Sequence, residues 1–283
     1  MKILVTGVKG QLGFDIIKEL TVRGVPCKGV DYDDFDIANR DAVFHAITNY
    51  CPDAVIHCAA YTAVDKAEDE PELCRKINED GTFYIAEACK QISAKMIYIS
   101  TDYVFPGNGD HFHKPTDPTA PPSVYGKTKL AGEKAVQQTL DRAFIVRISW
   151  VFGVNGNNFV KTMLRLGKER DSLNVVCDQI GSPTYTADLA PLLCNMAETE
   201  KYGIYHATNE DICSWAEFAQ EIFRQAGMNT KVNPIPTSEY PTKATRPLNS
   251  RLDKNCLNNA GFNPLLHWKD ALKRFLNNEF GAE

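Results

Sequence analysis

The sequence predicts an α/β protein built on a Rossmann-like, doubly wound parallel sheet. Two observations predict this fold. Short β-rich runs alternate with helix-length amphipathic runs through the first half of the chain, and a glycine-rich turn joins the first strand to the first helix. Strands that alternate with helices form βαβ units, and the resulting parallel sheet is covered on both faces. The 283 residues are enough for one large domain with additions.

The first half of the chain supplies the predicted sheet. Strands are expected at residues 2–6, 25–30, 53–58, 95–100 and 143–148, and helices at 11–23, 41–50, 72–91 and 124–139. In the first helix, Leu12, Ile16 and Leu20 recur on one face, which is typical of a helix packed on a sheet. Residues 1–150 are therefore expected to form a dinucleotide-binding domain.

The second half, residues 151–283, is expected to form a smaller and mainly substrate-binding region, with some segments returning to the sheet. Helices are predicted at 158–170, 187–198, 214–226 and 267–278, with loops rich in Pro, Asn and Thr between them. No stretch between the halves has the composition of a disordered linker. We therefore expect this region to pack beside the sheet and cover its carboxyl edge.

Composition and charge argue against several classes of protein. The net charge of −5, with both signs interspersed, disfavours a nucleic-acid binder, which would carry a basic face. No apolar run suits a membrane span or a signal peptide, so a cytoplasmic protein is expected. The nine cysteines form no Cys-x-x-Cys and are expected to be reduced thiols. His111 and His113, in a polar loop without a third ligand nearby, are expected to be solvated rather than to bind a metal.

Three glycines open the chain between the first predicted strand and the first predicted helix. They are Gly7, Gly10 and Gly13. One glycine permits the tight turn, another lets a pyrophosphate approach the backbone, and the helix N-terminus supplies free N–H groups. The alternative is a glycine-rich turn without a ligand, which the placement at the start of the chain disfavours. The pattern thus predicts a dinucleotide site.

An acidic residue, Asp31, follows the second predicted strand. An acid at this point commonly accepts hydrogen bonds from the adenosine ribose and repels a 2′-phosphate, which favours NADH over NADPH. Asp33, Asp34 and Asp36 follow closely, so some of these acids are expected to be solvated turn residues. The sequence therefore leaves the choice between NADH and NADPH open.

Tyr125 and Lys129 stand one turn apart at the start of a predicted helix. The ordinary tyrosine pKa is about 10, and a neighbouring ammonium favours the phenolate and lowers it. Thr101 ends the fourth predicted strand, at the sheet edge where ligands bind, and can hydrogen-bond a substrate oxygen. The pair alone would suggest a packed tyrosine with an exposed lysine. With Thr101 and the glycines in order, the set predicts a proton donor for a carbonyl that undergoes hydride transfer.

Longer motifs extend this pattern along the chain. They include Ser100-Thr-Asp-Tyr-Val-Phe-Pro-Gly107, Tyr125-Gly-Lys-Thr-Lys-Leu-Ala-Gly-Glu133 and Asp178-Gln-Ile-Gly-Ser-Pro-Thr184, with others at residues 6–13, 59–68, 149–153 and 246–250. With these the chain resembles the extended short-chain dehydrogenase/reductase family and, within it, the dTDP-4-dehydrorhamnose reductases. The resemblance runs nearly end to end. It implies NADPH- or NADH-dependent reduction of the C4 ketone of dTDP-4-dehydro-L-rhamnose, a step in the synthesis of cell-surface polysaccharide precursors.

The resemblance also implies roles for individual residues. Tyr125 would be the proton donor, with Lys129 and Thr101 supporting it. The residues expected to line the cofactor, besides Tyr125 and Lys129, are Gly7, Gly10, Gln11, Leu12, Gly13, Asp31, Asp36, Ile37, Ala60, Tyr61 and Thr62.

Substrate contacts are expected from Thr101 and from four further residues. Trp150 would face the sugar, although a tryptophan in the core is the alternative. Asp102 would hydrogen-bond the sugar, in a role that the sequence does not define. Asn158 and Arg246 are candidates for the nucleotide diphosphate, because amide and guanidinium groups donate well to phosphate oxygens. A surface ion pair is the alternative for Arg246.

The residue after Asp102 separates reduction from dehydration. Sugar-nucleotide 4,6-dehydratases of this family carry Asp-Glu after the Ser/Thr, and here Tyr103 stands in place of the glutamate. Reduction needs only a hydride and one proton donor. Other readings stay open: a reductase or epimerase of another nucleotide-4-ketosugar, a non-catalytic regulatory subunit resembling that of methionine adenosyltransferase, or a dinucleotide-binding protein without catalysis.

The resemblance leaves the oligomeric state open between monomer and homodimer. Some relatives form dimers bridged by a divalent ion held by carboxylates, and a Mg²⁺ bridge through Asp15 and Glu279 is the corresponding expectation. Apart from that bridge, no metal is expected at the catalytic site.

Overall fold

The structure is a computed structural model that describes residues 1–280, with side chains through residue 278. Its main sheet has six strands, β1 (Ile3–Thr6), β2 (Cys27–Val30), β3 (Ala54–His57), β4 (Lys95–Thr101), β5 (Ala143–Ile148) and β10 (Gly203–His206). The strand order is β2-β1-β3-β4-β5-β10, and each of these neighbours is parallel. The doubly wound α/β fold predicted from the sequence is confirmed.

The remaining strands are short and lie in the second half. They are β6 (Val151–Phe152), β7 (Ser172–Val176), β8 (Ile180–Gly181), β9 (Thr184–Tyr185), β11 (Cys213–Ser214), β12 (Lys231–Ile235) and β13 (Asn249–Ser250). They pair as β6 with β9, β7 with β12, and β8 between β11 and β13.

Helices cover the sheet and build the second half. They are α1 (Gln11–Val22), α2 (Arg40–Tyr50), α3 (Val64–Ala67), α4 (Pro71–Arg75), α5 (Gly81–Gln91), α6 (Val124–Thr139), α7 (Phe159–Glu169), α8 (Thr186–Ala197), α9 (Trp215–Gln225), α10 (Asn255–Asn259) and α11 (Trp268–Phe280). Across residues 1–280, none of them combines the length and the apolar character that crossing a bilayer would require.

The helix predicted at 72–91 is interrupted. A π-helical turn, Lys76–Asp80, separates α4 from α5. At this turn the buried Asn78 accepts a hydrogen bond from the backbone N–H of Tyr61 (2.8 Å) and donates one to the hydroxyl of Thr128 (3.1 Å). The turn thereby fastens the loop after β3 to α6, two segments that border the functional site. Such π-helical turns within α-helices frequently occur at functional sites.

Alternate residues of the strands fill two apolar layers, one on each face of the sheet. Ile3 and Val5 face the layer that α1 and α8 complete, whereas Leu4 faces the layer that α2 and α5 complete. All three side chains are fully buried. This pattern explains why the strand sequences are nearly continuous apolar runs, as is usual for a parallel sheet covered on both faces.

The second half of the chain does two things. Strand β10 extends the main sheet beside β5, and α8 packs against α1. Elsewhere, α7, α9 and α11 enclose a separate aromatic-rich cluster that includes Phe152, Phe218 and Phe275. Segments after residue 150 therefore take part in the sheet. The boundary expected at residue 150 stays a prediction.

Candidate active site

A cavity of about 640 Å³ lies beyond the carboxyl ends of the central strands. Its walls come from the glycine turn, the loops after β2, β3, β4 and β5, and the start of α6. Its size is typical of cofactor and small-molecule sites, and its position is where open α/β sheets bind ligands. Among the residues that line it are Gly7, Gly10, Gln11, Leu12, Gly13, Asp31, Asp36, Ile37, Ala60, Thr62, Thr101, Asp102, Tyr125, Lys129 and Trp150.

Close backbone contacts require glycine at two positions around the turn between β1 and α1. Gly7 has a φ of +73°, and a Cβ there would lie 2.7 Å from the backbone nitrogen of Ala59. A Cβ at Gly13 would lie 2.3 Å from the carbonyl oxygen of Gly7. No side chain caps the start of α1 at Gly10, so the first N–H groups of this helix await an acceptor. This cradle fits the diphosphate of a dinucleotide.

Asp31 is held at the edge of the cavity by two backbone bonds. Its carboxylate accepts hydrogen bonds from the N–H of Lys9 (2.8 Å) and of Tyr32 (2.9 Å). A carboxylate can accept about four hydrogen bonds, so capacity remains for ribose hydroxyls. The ammonium of Lys9 pairs with Asp33 and lies 5.5 Å from the centre of the Tyr32 ring. A cation and an acid therefore lie side by side where an adenosine ribose is expected.

Close packing at the start of α6 brings Tyr125 to the end of β4. Ser123 caps the helix by accepting a hydrogen bond from the N–H of Gly126 (3.1 Å). A Cβ at Gly126 would lie 2.3 Å from the carbonyl oxygen of Tyr103, so only glycine permits this approach. The rings of Tyr103 and Tyr125 meet edge to face at 5.4 Å.

The pKa of Tyr125 differs from the sequence-based expectation. Burial raises this pKa well above its ordinary value, and a hydrogen bond with the hydroxyl of Thr101 opposes that rise. The lowered pKa expected from the neighbouring Lys129 is therefore not observed, because the net shift is upward. The reason is that desolvation of the phenolate outweighs the favourable interactions around it. Tyr125 is accordingly a protonated phenol at neutral pH and is ready to donate.

The ammonium of Lys129 is enclosed. It donates a hydrogen bond to the carbonyl oxygen of Ile99 (2.7 Å) and lies 4.1 Å from the centre of the Tyr98 ring. Burial lowers the pKa of Lys129 to about 7, and the negative charge of Glu133, one turn further along α6, opposes this change. The charge of this lysine is therefore sensitive to pH near neutrality.

A buried ion pair supports the helix that carries Tyr125 and Lys129. Two guanidinium nitrogens of Arg147 on β5, Nε and Nη2, donate to the carboxylate of Glu133 at 2.8 and 2.7 Å. The hydroxyl of Ser100 at the end of β4 donates to the same carboxylate at 2.5 Å. The Arg147 and Glu133 side chains are 3% and 1% exposed. The three residues thus join β4, β5 and α6 directly behind the catalytic set.

Asp102 lies beside Thr101 and is also buried. It accepts hydrogen bonds from the hydroxyls of Ser250 (2.5 Å) and Thr101 (3.0 Å). Burial raises the pKa of Asp102 to about 6, and these hydrogen bonds limit the rise. Thr101 donates to Asp102 and accepts from the backbone N–H of Tyr103 (3.2 Å), so its oxygen keeps one acceptor position for Tyr125 or a substrate hydroxyl. The structure gives Asp102 a positioning contact that the sequence did not define.

Trp150 lines the cavity and also packs within the protein. Its ring stacks on that of Trp215, with centroids 3.8 Å apart and an angle of 15° between the planes. Its φ of +50° is uncommon for a residue other than glycine. Both readings of Trp150, sugar contact and core residue, are compatible with this placement.

Three other predicted site residues have protein partners. Asn158 caps α7 and donates to the side chain of Gln11 (3.0 Å), and its neighbour Asn157 lines the cavity instead. Arg246 pairs with Asp65 (2.5 Å), as the alternative reading proposed, and also donates to the hydroxyl of Tyr103 (3.3 Å). Tyr61 donates its hydroxyl to Glu70 (2.7 Å). Diphosphate binding by Asn158 and Arg246, and cofactor contact by Tyr61, stay predictions.

The expected Mg²⁺ bridge through Asp15 is not supported. Asp15 is buried, and its carboxylate accepts a hydrogen bond from the hydroxyl of Thr186 in α8 of the same chain. A residue in this position cannot meet a partner subunit without disrupting the packing of α1 on α8. The side chain of Glu279 lies outside the described residues.

Sequence reasoning missed the support behind the catalytic set, although two signals were present. Arg147 is a lone charge in the strand Ala-Phe-Ile-Val-Arg-Ile, and a charge in a buried strand requires a buried partner. Glu133 follows Lys129 by four residues and therefore shares its helix face. The hydrogen bond from Ser250 to Asp102 had no such signal, because the two residues are far apart in the chain.

Comparison with known proteins identifies the family of this chain. Residues 1–280 match the family described as RmlD substrate binding domain. The chain belongs to this family. The RmlD family assignment is supported by a dTDP-4-dehydrorhamnose reductase from Aggregatibacter actinomycetemcomitans, which is 44% identical over 96% of this chain and 97% of its own length.

Two further relatives match this chain over nearly their full length. The spore coat polysaccharide biosynthesis protein SpsK of Bacillus subtilis (strain 168) is 40% identical, with 99% of each chain covered. The crystal structure of a dTDP-4-dehydrorhamnose reductase from Bacillus anthracis in complex with NADP is 43% identical, with a TM-score of 0.96 over 98% of this chain and 100% of that one. The fold and the family thus agree from end to end.

Proposed function

We propose that this protein reduces the C4 ketone of dTDP-4-dehydro-L-rhamnose to dTDP-L-rhamnose with NAD(P)H, in the synthesis of polysaccharide precursors. The observation that carries the proposal is the shared cavity. Thr101, Tyr125 and Lys129 line the same cavity as the glycine turn, so a proton donor and a dinucleotide cradle face one space. Reductases with this activity are similar to the chain over nearly its whole length.

Tyr125 acts as the general acid. When bound, the reduced nicotinamide supplies the hydride. The phenol of Tyr125, protonated because burial raises its pKa, donates its proton to the oxygen on C4 as negative charge develops there. Thr101 hydrogen-bonds Tyr125 and orients the phenol, and Asp102 fixes the hydroxyl of Thr101.

Lys129 stabilises the tyrosinate that remains after proton transfer. Its ammonium is enclosed, so water screens its charge only weakly and the charge acts strongly on nearby groups. The carbonyl of Ile99 holds it in place, and Glu133 helps to keep it protonated. We assign Lys129, together with Gly10, Gln11, Leu12 and the other glycines of the turn, to cofactor binding as well.

The activity is tested by following absorbance of the reduced nicotinamide. The purified protein is supplied with dTDP-4-dehydrorhamnose and, in parallel, with other nucleotide-4-ketosugars, each with NADH and with NADPH. Oxidation that is fastest with dTDP-4-dehydrorhamnose is expected. Faster oxidation with another ketosugar would redirect the substrate assignment. No oxidation with either cofactor would favour the regulatory-subunit reading.

The pH dependence of reduction should follow Lys129. Because burial lowers the pKa of Lys129 to about 7, the lysine loses its charge as pH rises through that value. Tyr125 stays protonated over this range, so the proton donor is not what is lost. We expect kcat/KM for reduction to fall by roughly tenfold per pH unit well above 7. Protonation of Asp102, whose pKa burial raises to about 6, adds a separate change on the acid side. A level profile up to pH 9, with the fold intact by circular dichroism, would contradict the role of Lys129.

Replacement of Asp31 should change cofactor preference. Asp31→Ser removes the negative charge that faces the adenosine ribose and leaves Lys9 nearby as a cation. We expect the ratio of kcat/KM with NADPH to that with NADH to rise by about tenfold, equivalent to ~1.4 kcal/mol. Asp41→Ser, which replaces an exposed carboxylate in the first turn of α2 away from the cavity, is the matched control. Equal ratios in the wild type and in Asp31→Ser would rule out this role.

A further inference from the structure

Three side chains in the loop between β4 and α6 bring their ligand atoms together. One ligand atom from each of His111, His113 and Asp117 lies within 4.8 Å of the other two. Ligands of one Zn²⁺ ion, each about 2 Å from the metal, lie roughly 3 to 4 Å apart. The exposed ring of His111 is the ligand that would rotate to close the difference. We propose that these residues form a binding site for a divalent transition-metal ion of the Zn²⁺ class, separate from the reductase cavity.

His113 is the fixed member of this cluster. Contrary to the sequence-based expectation of a solvated residue, His113 is 2% exposed, because its ring stacks on Phe105 with centroids 4.3 Å apart. Its backbone N–H donates to the carbonyl of Arg251 (2.9 Å), and its carbonyl accepts from the N–H of Asp253 (2.8 Å). A ligand held this way loses little conformational freedom when an ion binds.

Nε2 of His113 makes only a weak contact with the side chain of Asn249. Asn249 Nδ2 lies 3.4 Å from His113 Nε2, at the limit of hydrogen bonding, and donates more closely to the carbonyl of His111 (2.8 Å). No strong hydrogen bond in this contact therefore competes with an ion for the ring.

The other two ligands are arranged by the loop itself. The His111 ring stands nearly perpendicular to that of His113, at 4.6 Å between centroids. Asp117 accepts a hydrogen bond from the N–H of Lys114 (2.8 Å), which points its carboxylate inward, 3.8 Å from His111 Nε2. Asp117 was not recognised as a third ligand from the sequence, because the turn at Lys114 is what returns the chain to the histidines.

The donor set selects the class of ion. Two imidazoles and one carboxylate suit Zn²⁺, Ni²⁺ or Cu²⁺, whereas Mg²⁺ and Ca²⁺ prefer oxygen ligands alone. Three protein ligands leave a fourth position for water. The ion would link three residues of the same loop. This loop contacts Asn249, and the next residue, Ser250, donates a hydrogen bond to Asp102. Its direct effect is to stabilise this loop.

Zn²⁺ titration of the full chain, after chelator treatment, tests the site. All proteins carry Cys51→Ser, because Cys51 is the exposed thiol and thiolates are zinc ligands. Calorimetry is expected to show one equivalent of Zn²⁺ bound, with a rise in Tm that grows with Zn²⁺ concentration. His111→Ala and Asp117→Asn should each weaken binding by tenfold or more. An asparagine at 117 retains an acceptor for the N–H of Lys114, so the turn is preserved.

His45→Ala is the matched control, because His45 is an exposed histidine on α2. In the described chain its ring forms hydrogen bonds only with the nearby Asn49. It should bind Zn²⁺ as the parent does. Wild-type affinity in both His111→Ala and Asp117→Asn would overturn the proposal, and so would an equal loss in His45→Ala. Mg²⁺ in place of Zn²⁺ should produce no shift in Tm, and an equal shift would contradict the nitrogen-rich donor set.

Discussion

Tyr125→Phe should lower the turnover number for reduction by about 100- to 10,000-fold, the range typical of a general acid. The phenylalanine keeps the ring, which packs edge to face on Tyr103, and removes only the proton donor. Cofactor affinity should be nearly unchanged, because the glycine turn and Asp31 are not altered. Steady-state kinetics give the turnover number, and quenching of protein fluorescence by the reduced cofactor gives the affinity.

Tyr202→Phe is the matched control for this variant. The Tyr202 hydroxyl accepts a hydrogen bond from Arg142 (3.2 Å) just before β10, at the amino end of that strand and away from the cavity. Its turnover should match the wild type. Retention of activity in Tyr125→Phe, or a similar loss in Tyr202→Phe, would show that the phenol of Tyr125 is not the proton donor.

Arg147→Met should cause the largest loss of stability among single substitutions behind the site. It leaves the Glu133 carboxylate buried with Ser100 as its remaining partner in the described contacts. Removing one partner of a buried ion pair costs about 3 to 5 kcal/mol. We expect that decrease in the free energy of unfolding, measured by urea denaturation. Turnover should fall as well, because β5 and α6 are no longer joined.

Two further variants separate the buried charge from the loss of packing. The double variant Glu133→Gln/Arg147→Met removes both charges of the pair and should recover part of the lost stability, although the Lys129 ammonium then loses its neighbouring carboxylate. Arg165→Met, which removes an exposed ion pair with Glu169 (3.4 Å), should change stability by under ~1 kcal/mol. Equal stability losses in Arg147→Met and Arg165→Met would contradict the importance of the buried pair.

The sheet and the cofactor cradle were predictable from the sequence because their signals are local. Apolar runs specify the strands. Gly13 is required by its close approach to the carbonyl of Gly7, and Gly7 by its close approach to Ala59, which follows the neighbouring strand β3. Helix α6 begins and ends where its periodicity and the cap at Ser123 indicate. The π-helical turn at Lys76–Asp80 was not predictable, since its residues have ordinary helical character and the contact of Asn78 with Thr128 crosses the fold.

The electrostatics of the site were less accessible to sequence reasoning. The spacing of Tyr125 and Lys129 places both residues correctly in the cavity but does not give their pKa values, which depend on burial by distant segments. Similarly, the amide of Asn158 is occupied by capping α7, a local role that the sequence position alone did not reveal. Placement in the chain thus predicts which groups meet, whereas their charge depends on the whole fold.

Transfer of deuterium from the cofactor to the sugar is the decisive measurement for this reaction. The protein is incubated with dTDP-4-dehydro-L-rhamnose and NAD(P)H that carries deuterium at the transferable position, and the product is examined by NMR. We predict dTDP-L-rhamnose with deuterium on C4. A C4 epimer of that sugar, or recovery of the ketone without deuterium in any product, would contradict this prediction.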